Sequence, residues 1–142
     1  TIPELIQTSK GEKYVKAPME DVTHMLTGIQ GYKGNVTVSF GKPINSSLDD
    51  LKEIKNRNVF FNTLAQRIDA EIHQTYELMP SNYIASDLLN ASNEYKAKYL
   101  DEEKESFSDY MNKRLSKVAA AEELKRNLFL RVYANPVKNS KK

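Results

Sequence analysis

Few residues in this sequence stand in patterns that chemistry requires. His73 and Glu77 lie four apart in a segment of helical periodicity, with Asp69 and Glu71 close by, so an imidazole and a carboxylate share a helix face. A metal needs a third and usually a fourth ligand, and none stands at a useful spacing. A surface hydrogen bond is the expected role of His73. His24, between Thr23 and Met25 beside an apolar stripe, reads as a partly buried structural histidine rather than a base. No serine occupies a Gly-x-Ser-x-Gly elbow. Gly28, Gly31 and Gly34 precede a strand-like segment, the wrong order for a phosphate loop that feeds a helix N-terminus, so they read as a turn. Lys13, Lys16, Lys33 and Lys42 flank that segment with Tyr14 and Tyr32 interleaved. Clustered positive charge of this kind suits an anionic phosphate, an acidic protein partner or an anionic membrane surface. These four lysines are the substrate-binding candidates; no residue qualifies as catalytic or metal-binding, and no motif calls for a cofactor.

The elements that must position these groups follow from periodicity. Thr1 to Gln7 reads as a short helix. Pro18 with Glu20 and Asp21 opens a second, carrying an apolar stripe of Val22, Met25, Leu26 and Ile29. In Asn35–Phe40, Val36, Val38 and Phe40 alternate with Thr37 and Ser39, the period of a half-buried strand, and Gly41 with Pro43 ends it. Ser46 and Ser47 are expected to cap a helix with Leu48, Leu51 and Ile54. A helix from Asn58 to about Met79 carries Val59, Phe60, Leu64, Ile68, Ile72 and Tyr76, and Pro80 stops it. Helical patterns follow over 82–89, over 95–118 with a break near Asp101, and over 119–133 with Leu124, Leu128 and Val132; Asn135 and Pro136 are expected to end regular structure. The expected fold class is α+β, predominantly helical, with a β-containing segment at 1–57 and a helical one at 58–142. The late tyrosines read as packing residues rather than stacking platforms.

Composition bounds the function. The chain has 142 residues, 39% hydrophobic and 28% charged, enough for one ordinary domain. Twenty-one basic residues against nineteen acidic ones are too balanced to point to nucleic acid as a partner. The absence of cysteine excludes a disulfide framework and a thiolate zinc site. No run approaches the roughly 20 apolar residues that span a bilayer.

A lone strand leaves its backbone groups unpaired, so the strand at 35–40 needs a sheet from elsewhere. Val36-x-Val38-x-Phe40-Gly-Lys-Pro-Ile44 resembles the strand and turn late in the acyltransferase domain of the glycerophospholipid acyltransferases. Gly11–Asp21, Met25–Gly28, Pro80–Ile84 and Val132–Val137 are similar to the C-terminal half of a bacterial glycerol acyltransferase subgroup. The resemblance implies a distal portion of that enzyme, in which 35–40 is a remnant of the catalytic sheet and the helices after Asn58 form a C-terminal extension. It implies acyl transfer from acyl-CoA or acyl carrier protein to a glycerol-phosphate hydroxyl. It also implies a cytoplasmic location with peripheral contact at the inner face of the membrane.

The family's His followed five positions later by Asp is missing: Ile29 stands five beyond His24, and Leu78 five beyond His73. The phosphate-binding Glu-Gly-Thr-Arg block is missing as well. Both are expected upstream of Thr1, and residues 1–142 are expected to be inactive alone. The rival expectation is a non-enzymatic helical interaction module, with the strand paired across a homodimer.

Overall fold

A computed structural model of the chain describes residues 1–31, 34–45 and 48–140. Its α-helices are α1 (Ile2–Ser9), α2 (Glu20–Gln30), α3 (Arg57–Thr75), α4 (Pro80–Asn90), α5 (Asp101–Leu115) and α6 (Glu122–Asn139), with 3-10 turns at Asp50–Glu53 and Lys96–Lys98. The start signals are local. Thr1 caps α1 by accepting the Glu4 amide at 3.3 Å, and Asn56 caps α3 by accepting those of Asn58 and Val59. Pro80 does not stop α3; it occupies the first turn of α4, where its missing N–H costs nothing. Asp101, Glu102 and Glu103 open α5 while Lys113 and Arg114 close it, matching the helix dipole.

The core is made by α4, α5 and α6, with α1 packed on α6. Ile84 and Ala85 meet Tyr99, Phe107, Met111 and Leu115 from one side and Phe129, Leu130 and Ala134 from another. Phe107 and Phe129 both pack against Tyr133, with ring centroids 5.2 Å and 5.0 Å away. Residues 1–57 therefore contribute α1 to this bundle, and α3, which spans the boundary at 57/58, packs on the turn at Asp50–Glu53.

Several expectations are corrected. The structure is predominantly helical, as expected, but among the described residues there is no β-strand, so the expected strand at 35–40 is not formed. Asn35–Phe40 is irregular because nothing pairs with it: no hydrogen bond joins it to another described residue. The stripes of α2 and α3 are not core, since neither helix buries a residue. The expected cap at Ser46 and Ser47 lies outside the described residues; beyond it, a 3-10 turn buries Leu51 where a helix was expected. Pro136 lies inside α6 rather than ending it. The only intrahelical bond it forfeits is the one to the carbonyl of Val132, on the exposed side. The buried face of α6 is Phe129, Leu130, Ala134 and Val137, whereas Val132 is exposed.

Candidate functional site

Of the seventeen exposed large apolar side chains among the described residues, fourteen fall between Val15 and Tyr76 and three in the bundle, so the uncovered surface belongs to one part of the chain. Val36 and Val38 are 72% and 71% exposed, and Phe40 is 92% exposed. On one side in sequence, α2 exposes Val22, Met25, Leu26 and Ile29; on the other, α3 exposes Val59, Phe61, Ile68 and Ile72. The described residues between Val15 and Tyr76 thus form an arm in which most large apolar side chains face water, Leu51 being buried.

Polar contacts organise the arm. At the start of α2, Glu20 accepts hydrogen bonds from the Tyr14 hydroxyl and, at 2.9 Å, from the Ala17 amide. The Tyr14 bond first and the Ala17 bond second hold the Glu20 carboxyl below its ordinary range, and the same partnership raises the Tyr14 phenol. After the irregular segment, the Lys42 amide donates to Glu71 Oε1 of α3 at 2.6 Å. Gly41 permits this approach, because a Cβ there would lie 2.9 Å from Glu71 Cγ. Arg67 of α3 then grips Asp50 with both guanidinium nitrogens, at 2.8 Å from Nη1 to Oδ1, which holds the Asp50 carboxyl below its usual range.

The lysine candidates are not gathered into a site. Lys13 is exposed, and Lys16 is engaged by Asp21 at 2.7 Å, which raises its ammonium. The Lys42 side chain is exposed beside the Glu71 contact, and Lys33 lies outside the described residues. His24 is half-exposed rather than structural, with Nδ1 3.8 Å from Glu20, the carboxylate four residues earlier that the sequence reading leaves out. His73 is exposed on α3. Among the described residues no group of three His, Cys, Asp or Glu side chains could hold a metal ion, and no helix is long and apolar enough to cross a membrane.

No family model, curated protein or solved structure matches the chain. Its chemistry must be read from its own geometry. The polar groups that sequence reasoning missed are buried in the bundle. Asp87, 1% exposed, accepts from the Ser92 hydroxyl at 2.8 Å, the Tyr95 amide and the Tyr99 hydroxyl at 2.9 Å, tying the segment 92–99 to α4. Burial first, and this hydrogen bond second, push the Tyr99 phenol up to about 12. Lys125 of α6 donates to the carbonyls of Leu115, the last residue of α5, and of Val118 just beyond it, and meets Glu122 at 2.6 Å. Every partner of Asp87 and Lys125 is supplied by the chain, so both are fastenings rather than acid–base groups. The only signal in the sequence was, for Asp87, a lone charge amid mostly apolar neighbours; Lys125 stands among Glu122, Glu123 and Arg126 and carried none.

Proposed function

We propose that this chain is the C-terminal portion of a glycerophospholipid acyltransferase, the part that completes the catalytic domain and extends it with a helical bundle. The observation that carries the reading is the uncovered arm. An irregular segment with a strand's alternation, flanked by helices with exposed apolar stripes, is what an α/β layer looks like without the rest of its sheet. The motif residues Val36, Val38, Phe40, Gly41, Lys42, Pro43 and Ile44 lie within that arm and agree with the distal strand and turn of the family. Acyl transfer from acyl-CoA or acyl carrier protein to a glycerol-phosphate-type hydroxyl is then the reaction of the whole enzyme, at the inner face of the membrane. The His–Asp pair that activates the acceptor would be supplied by residues outside this chain.

The test is the reading frame that encodes residues 1–142, together with the intact mass of its natural product against the 16.2 kDa of this chain. A longer product with a His, an Asp five positions on and a following Glu-Gly-Thr-Arg-like block is expected. A natural product without that pair would overturn the reading. It would favour the second one, a non-enzymatic helical interaction module, which draws on the bundle's own buried core.

A further inference from the structure

We infer that the outward face of α6, from Leu124 to Lys138, is a docking surface for an anionic lipid layer, with Arg131 and Lys138 meeting the headgroups and Val132 entering the interface between them. The reading above puts the parent enzyme at a membrane and names no surface for it. This inference goes beyond that reading and stands on charge placement and burial in this chain.

The near-neutral total conceals a strong segregation. Residues 110–142 hold nine Lys or Arg against two Asp or Glu, a net +7, whereas residues 1–109 hold twelve against seventeen, a net −5. Lys113, Arg114, Lys117, Arg126, Arg131 and Lys138 are all exposed, and none of the six is in an ion pair among the described residues. Of the two acids, Glu122 is already taken by Lys125. At the other end of α5, Asp101, Glu102 and Glu103 are repelled by the surface that attracts these bases, so the charge pattern also orients the molecule.

The apolar side chains decide between anionic partners. α6 carries two stripes: Phe129, Leu130, Ala134 and Val137 face the bundle, while Leu124, Leu128, Arg131, Asn135 and Lys138 recur at steps of three and four on the opposite side. Leu124 and Leu128 are half-buried and lie outside the core cluster, and Val132 beside them is 52% exposed. Leucines and a valine set among arginine and lysine suit the boundary between headgroups and acyl chains, where both kinds of side chain are satisfied together. A nucleic-acid backbone rewards the charges and leaves the apolar groups in water. An acidic protein segment needs a groove to cover them, and the cleft between α5 and α6 reaches no farther along α6 than Arg126.

Sedimentation of the 142-residue chain with vesicles tests this, using phosphatidylcholine alone and phosphatidylcholine with about a third phosphatidylglycerol. The chain should bind the anionic vesicles at least about tenfold more tightly, and that binding should weaken as salt is raised from about 50 to about 200 mM. Replacing both bases, Arg131→Gln with Lys138→Gln, should lower it about twentyfold with helicity unchanged, at roughly fivefold per charge. Val132→Ser should weaken it severalfold and leave its salt dependence alone. Equal binding to neutral vesicles, no binding to either, or anionic binding that survives the loss of Arg131 and Lys138 would overturn the inference. So would tighter retention by duplex DNA than by the vesicles at equal salt. Vesicle binding by α6 without acyl transfer by the complete product would sink the enzymatic reading alone, and turnover without vesicle binding through α6 would sink this inference alone.

Discussion

Asp87 shows how much of the bundle depends on one carboxylate. Its three donors come from Ser92, Tyr95 and Tyr99, five to twelve residues along the chain, and none is marked by helical spacing. In the sequence it is one more charge on a helix; only the closure of the 92–99 segment makes it a fastening. Asp87→Ala leaves buried donors without an acceptor and should lower stability by about 2–4 kcal/mol in urea unfolding, against about 1 kcal/mol for Tyr99→Phe. The same site sets a pH dependence. Because the phenol of Tyr99 is raised from 10.0 to about 12, the folded state holds its proton more tightly than the unfolded state. That contribution is fully present below about pH 10 and is lost as pH rises toward 12. Tyr133 is raised in the same direction, by burial first and then by its hydroxyl contact with Tyr110, and it reinforces the loss. Ultraviolet titration should find Tyr99 and Tyr133 the last phenols to ionise, with unfolding accompanying them; ionisation of Tyr99 at an ordinary pH with the fold intact would contradict this.

At the scale of elements, the apolar spacing of Tyr83, Ile84, Leu88 and Leu89 and of Phe107, Met111 and Leu115 made α4 and α5 readable from sequence, whereas Pro80, expected to end the preceding helix, opens α4 instead. The face of α6 was not readable. Leu124, Leu128 and Val132 make a tidy spacing of four, yet the buried face runs through Lys125, Phe129, Leu130 and Ala134, because α4 and α5 decide which side is covered. Continuation through Pro136 was equally hidden, since it depends on Val132 facing outward. Near that proline, Asn82 joins two helices: it accepts the Met79 amide at 2.8 Å and donates to the Tyr133 carbonyl at 2.8 Å. Asn82→Ala should cost about 1–3 kcal/mol by thermal or urea unfolding. Asn82→Asp, which keeps the acceptor and loses the donor, should retain the start of α4 and loosen α6; equal effects of the two would argue against the clasp.

The whole molecule divides by how its apolar surface is treated. In the bundle of α1, α4, α5 and α6, nearly every large apolar side chain is covered; in the arm, fourteen are exposed. The sequence foretold the helical character, whereas the strand expected from the alternation at 35–40 does not form among the described residues. It could not foretell that α2 and α3 stay uncovered, because an apolar stripe has the same spacing whether its partner lies within the chain or outside it. Limited proteolysis should therefore cut between residues 10 and 79 first and leave α4–α6 as a persistent fragment. Early cleavage within α4–α6 would contradict this division. The central claim, that these residues complete an acyltransferase whose catalytic pair lies outside them, is tested most directly by acyl transfer from acyl-CoA or acyl carrier protein to glycerol 3-phosphate and to lysophosphatidate. The account predicts turnover by the product of the complete reading frame and none by residues 1–142 alone; turnover by the 142-residue chain, or none by the complete product, would contradict it.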